Sequence, residues 1–197
     1  MRSLSQRTLD AIEAIDTANA GDPTVVTVRG ADHPLAQIHG VLAHEWVLHL
    51  HPDADDTWLL AARAHHLRRW ELPRSDYDAG KAGYLRWKRD QRQRHARDVA
   101  VLLAPLGFDD AAIERGQALV RRDQLASDPG SQAIEDAACL AFVETQLADV
   151  ATKLDRAHLI DVLRKTARKM TPAGAAAIAL IPLAPAEQQL LADALGG

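Results

Sequence analysis

Only one stretch of this sequence, Thr24-Val25-Val26-Thr27-Val28, gathers β-branched residues, and no second run of that kind is present to pair with it. Elsewhere Ala, Leu, Arg, Glu and Gln recur, all good helix formers, and apolar residues return at helical spacing. A sheet needs partners of comparable strand character. The chain is therefore expected to be all-α, a compact multi-helix fold, with the valine run as an extended segment or a stray strand.

The helices can be placed from their punctuation. Ser3 to Ala20 repeats Leu4, Leu9, Ile12 and Ile15 and stops at Gly21-Asp22-Pro23. A second helix is expected from Pro34 to Leu50, and a third, capped by Asp53, carries Trp58-Leu59-Leu60-Ala61-Ala62 into His65-His66. Glu71 to Gly80 reads as a loop. Further helices follow from Lys81 to Ala104, from an Asp109 cap to Leu125, from Gln132 to Leu154, and from Arg156 to Met170. A short helix starts at Thr171-Pro172 and the last spans Pro185 to Leu195. With no repeat, low-complexity tract or linker, residues 1–197 are expected to form a single helical domain, the short C-terminal helices of 172–197 packing on it.

Charge narrows the function classes. A net charge of −4 and a pI near 6.1 do not favour nucleic acid as a general partner. Cys139 is the only cysteine, which excludes an intramolecular disulfide and a cysteine-rich zinc site. No apolar run approaches membrane-spanning length and no N-terminal stretch resembles a signal peptide, so a cytoplasmic protein with no membrane partner is expected.

Three polar features sit where apolar residues belong. His39 shares a helical stripe with Ala43, Trp46 and Leu50, and His65-His66 continue the core-like Leu59-Leu60-Ala61-Ala62. Asp136 shares a stripe with Leu140, Val143 and Leu147, with Glu135 beside it. A buried carboxylate is costly unless paired, hydrogen-bonded or bound to metal. Imidazole nitrogen and carboxylate oxygen are metal ligands, and helix bundles supply them from facing positions. The plainer alternatives are a satisfied core histidine and an Asp136 that holds an arginine such as Arg68 or Arg69. His44 is a spare ligand; His33, His95 and His158 carry no signal.

Arginines flank the histidine pair. Arg68, Arg69 and Arg74 precede or lie in the loop, Arg121 and Arg122 end a helix, and Arg86 to Arg97 reads as a solvated helix face. Guanidinium forks suit phosphate or carboxylate. Tyr77, Tyr84, Trp70 and Trp87 either line a pocket there or pin the loop to the core. No glycine-rich phosphate loop and no G-x-S-x-G elbow is present, and Cys139 reads as packing.

The run from Ala61 to Arg74, then Gly83-Tyr84-Leu85-Arg86-Trp87, Leu119-Val120-Arg121-Arg122, and Gln132 with Glu135 to Leu140 resemble family four-two-zero-two of the domains of unknown function. Leu163-Arg164-Lys165-Thr166 and Lys169-Met170 complete the likeness, which covers nearly the whole chain. That resemblance implies no activity. It implies Gln as a frequent alternative at the first position of the pair, which favours His66 over His65. The layout is also similar to the HD-domain superfamily of helical metal-dependent phosphohydrolases, with His39, His65-His66 and Asp136 in the required order. His66 stands where that pattern has Asp, and its first histidine is His39 or His44.

The resulting expectation is a metal-dependent hydrolase of a small phosphorylated or nucleotide-like substrate. His39, His65, His66 and Asp136 would hold a divalent ion (Mn, Zn, Fe or Mg), Glu135 and His66 would be catalytic, Glu135 as general base or its orienter, and Arg69, Arg74, Tyr77 and Arg122 would bind a small anionic substrate. The alternative is a non-catalytic binding module for an anionic ligand, RNA or a protein partner, in which His66 and Asp136 form a buried polar network.

Overall fold

Most helices begin where a short polar side chain takes up a free backbone amide. Ser5 caps α1 (Gln6–Asn19), Asp55 caps α3 (Asp56–Ala64), Asp109 caps α5 (Asp110–Arg121) and Asp128 caps α6 (Pro129–Lys153). Asp155 and Thr171 do the same for α7 (Arg156–Ala167) and α8 (Pro172–Ala177). The remaining helices are α2 (Leu35–Leu50), α4 (Gly80–Leu103) and α9 (Pro185–Leu195). The structure, a computed structural model, describes residues 4–196; the expected start of the first helix at Ser3 lies outside them.

Among the described residues the fold is all-α apart from one hairpin. Contrary to the expectation from sequence, Val25–Val28 (β1) has a partner, Ala31–Pro34 (β2), antiparallel with Val26 opposite His33. Arg29 and Gly30 both have positive φ (52° and 84°) and close the two-residue turn, a geometry whose twist matches the flanking strands. Ala-Asp-His-Pro has no strand propensity, so turn geometry and not composition makes the second strand. Arg29 also reaches Glu144 on α6 at 2.9 Å, which anchors the hairpin to the helices.

The core is one cluster shared by α1 to α7 and the C-terminal elements. Ile38, Leu42 and Val47 of α2 and Leu59 and Leu60 of α3 are buried against Ile134, Leu140 and Leu147 of α6. α5 packs on α4 and α3, and α7 pairs with α9 beside α6. Among the described residues, no helix is long and apolar enough to cross a membrane.

What matters for the site is how closely α2 approaches α3. A Cβ on Gly40 would lie 2.4 Å from the carbonyl oxygen of Arg63. Only a glycine lets the backbones meet there, which brings His39, one residue earlier, beside the end of α3. The chain then leaves the helix through His65 and His66, and Arg68 takes the left-handed conformation (φ 49°).

A candidate tri-histidine centre

The segment 65–72 is irregular, yet much of its backbone is engaged by side chains of neighbouring helices. Asn19 of α1 accepts the Arg68 amide at 2.9 Å, and Gln91 of α4 donates to the carbonyls of Arg69 and Leu72, both at 2.8 Å. Trp87 donates to the Leu72 carbonyl at 2.9 Å. Buried backbone polar groups need such partners, and their supply from α1 and α4 holds the histidine pair in place.

Each neighbouring hydrogen bond assigns an imidazole tautomer. His65 donates from Nδ1 to the Ala62 carbonyl at 2.8 Å, which leaves a lone pair on Nε2. Thr145 of α6 gives its single hydroxyl proton to the Ala141 carbonyl (2.7 Å), so at 2.7 Å it accepts from His39 Nε2 and leaves the lone pair on Nδ1. His95 of α4 donates from Nδ1 to the Leu67 carbonyl at 2.7 Å and keeps its Nε2 lone pair. Those three free nitrogens, and Nδ1 of His66, are buried without a partner.

The rings converge. His66 stacks on His39 with centroids 4.5 Å apart and lies 4.2 Å from His65 and 6.4 Å from His95. One nitrogen each from His39, His65 and His66 lie within 4.8 Å of one another. A tetrahedral zinc with bonds of about 2.1 Å sets its ligand nitrogens roughly 3.4 Å apart, so the three rings have to rotate inward to hold one ion. Burial pushes His65 and His95 down to about 3, aided at His65 by Arg122 and at His95 by Arg69. It also lowers His39 and His66 well below the ordinary range, with His65 and Arg69 adding to it. All four are neutral at pH 7, the form that ligates metal.

His66 also lines a cleft of about 320 Å³ with Arg69, Trp70, Trp87, Asp22 and Thr24. The Arg69 guanidinium lies 4.5 Å over the Trp87 ring. Burial, with repulsion from Arg122, lowers it to about 10, still charged at neutral pH. Asp22, across the cleft, spends its oxygens on the amides of Thr24 and Ala36, both at 2.9 Å.

Other residues singled out from the sequence lie elsewhere. Asp136 is outside the convergent ligand set: Thr171 donates to it from both its amide (3.0 Å) and its hydroxyl (2.5 Å), and Gln132 at 2.8 Å. Its burial is explained by anchoring the start of α8, and the fourth element of the HD-like pattern is displaced accordingly. Glu135 lies 2.8 Å from Arg122. Burial would raise its pKa, but Arg122, Arg92, Lys169 and Lys88 outweigh it and hold the carboxyl below its usual range, which makes it a weak base. Arg74 donates to the Tyr77 and Asp78 carbonyls, and Tyr77 donates to Asp90 at 3.2 Å, so both staple their own loop to α4. His44 is buried near Arg63 and Asp16, apart from the imidazole set.

His95, which carries no signal in the sequence beyond stripe continuity, lies beside the cluster. Gln91, His95, Val99 and Leu103 recur every fourth residue on the buried face of α4.

The family model described as Domain of unknown function (DUF4202) matches residues 9–191. No curated protein and no solved structure matches the chain.

Proposed function

The chain belongs to the DUF4202 family, which is defined by a shared domain and not by an activity, and from the imidazole cluster we propose a metal-dependent hydrolase of a small phosphorylated molecule. The observation that supports it is the convergence of three neutral imidazoles, each of which carries a buried nitrogen without a hydrogen-bond partner among the described residues. Buried polar atoms are ordinarily satisfied, and the outward nitrogens of His39 and His65 are already held by Thr145 and the Ala62 carbonyl, as second partners hold metal-bound histidines. The donor set is all nitrogen, which fits zinc or iron and not magnesium.

A divalent ion held there supplies Lewis acidity and lowers the pKa of a coordinated water. The chain's own part is orientation and charge. Arg69, over the Trp87 ring and without a carboxylate partner among the described residues, grips the phosphate in the cleft it lines. The walls of Trp70 and Trp87 exclude water around it. His66 joins the two regions, since it belongs to both the imidazole set and the cleft lining.

The test is metal content. Protein purified without a histidine tag should carry or take up about one zinc or iron per chain, and His66→Ala should lose it while keeping its helical circular dichroism. A chain that stays metal-free with zinc, iron and manganese in excess refutes the reading.

One observation favours a second reading, a binding module for an anionic ligand. Among the described residues no carboxylate free to act as a base borders the imidazoles, because Asp22, Glu135 and Asp136 are each engaged. Turnover of phosphomonoesters or nucleotides by the metal-loaded protein decides between the two; tight binding without hydrolysis selects the module.

A further inference from the structure

One group of charges, gathered around Glu135, is out of balance. Around the Glu135 carboxylate stand Arg122 at 2.8 Å, Arg92 at 3.5 Å and Lys169 at 3.7 Å, with Lys88 in electrostatic reach. The adjacent carboxylate, Asp136, is committed to Thr171 and Gln132. Several cations elsewhere have a carboxylate to themselves or share one with a single other cation: Arg94 pairs with Glu71, Arg115 with Asp128 at 2.7 Å and Lys165 with Asp161 at 2.5 Å. Here four cations share one carboxylate.

The arrangement is built by three separate segments. Lys88 and Arg92 are one turn apart on α4, Arg122 is the left-handed residue that ends α5 (φ 58°), and Lys169 lies between α7 and α8. Arg122 is the fixed back wall: its side chain is 6% exposed, and its Nε lies close to Glu135 without an aligned hydrogen bond. Arg92 and Lys169 are the open side, 34% and 42% exposed, and their contacts to Glu135 are long. Burial, and after it the proximity of Lys169 and Arg92, lowers Lys88 to about 8.

We propose that Lys88, Arg92 and Lys169, backed by Arg122 and gathered by Glu135, bind an oxyanion of two or more charges, of the phosphate or pyrophosphate class. Such an anion supplies the missing counter-charge and accepts charge-assisted hydrogen bonds from the arginine fork and both ammonium groups. Glu135 holds the cations together when no ligand is bound, at a cost in repulsion that the anion relieves. The site needs no ion at the imidazoles and stands whether or not the metal reading does.

The experiment is titration calorimetry of the full chain, treated with chelator, against inorganic phosphate and pyrophosphate. Saturable binding at one site is expected, tighter for pyrophosphate. Lys88→Met, Arg92→Met and Lys169→Met should each weaken it about tenfold or more, the loss of one charge-assisted contact. Arg86→Met and Arg89→Met, on the exposed face of the same helix, remove equal charge and should leave affinity unchanged. Lys169 lies off the helices, so its variant tests the site even if an α4 variant fails to fold. Absence of saturable binding at millimolar anion, or equal weakening by the Arg86 and Arg89 variants, overturns the proposal.

Discussion

His65 shows how one residue's surroundings decide its chemistry. Its Nδ1 is fixed on the Ala62 carbonyl and its Nε2 has no partner. Burial keeps it neutral, as it does His39, His66 and His95. These depressed values have a sign. Above the unfolded pKa of about 6.5 the folded and unfolded chains hold the same protons on these rings; below it the unfolded chain takes up more, so stability falls as pH drops. Between pH 7 and 5, His65 and His95 alone should cost roughly 2 kcal/mol each. A melting series on chelator-treated protein should show the midpoint falling steeply over that window; a flat profile would contradict the burial of neutral imidazoles. Glu135→Gln should also destabilise, by about 3 kcal/mol or more, because Arg122 stays buried without its counter-charge. Asp136→Ala separates structure from ligation: it should lower the unfolding free energy by on the order of 2–4 kcal/mol through the orphaned Thr171 groups while leaving metal uptake intact. Loss of metal with stability unchanged would return Asp136 to the ligand set.

At the scale of elements, local chemistry was readable wherever one residue type does one job. The Asp109 cap, the Thr171-Pro172 start and the α9 span of Pro185–Leu195 stand where the sequence puts them. The α3 cap is Asp55 and not Asp53, because Pro52-Asp53-Ala54-Asp55 offers two equivalent caps and the buried Ala54 settles which one meets the helix. α5 ends at Arg121, capped by the left-handed Arg122, and not at Leu125, since an arginine in that conformation gives no glycine-like stop signal. The contact that most controls the site is the α2–α3 approach at Gly40. Gly40→Ala would set a methyl 2.4 Å from the Arg63 carbonyl and must push the helices apart. It is expected to cost about 1–3 kcal/mol and to weaken metal binding by withdrawing His39, read by denaturant melts and metal titration together. Unaltered metal affinity in a destabilised variant would detach His39 from the centre.

For the whole molecule, the imidazole set draws on α2, the end of α3 and the loop that follows, with His95 of α4 behind it, so ligand binding and folding are linked. An ion at about a hundred times its dissociation constant should stabilise the chain by roughly 2.7 kcal/mol, or about 5–10 °C in a domain of this size. Chelation should reverse the rise, and His66→Ala should abolish it. By itself the sequence determined the helical class, most helix positions and the presence of costly histidines on apolar stripes, because periodicity and capping act over a few residues. Only the tertiary structure decided which of those polar groups meet. Asp136 and His66 look alike as buried polar residues on the chain, yet one is answered by Thr171, 35 positions away, and the other by imidazoles of α2 and α3. Partners at such separation are chosen by packing of the helices, which leaves no periodic trace in the sequence.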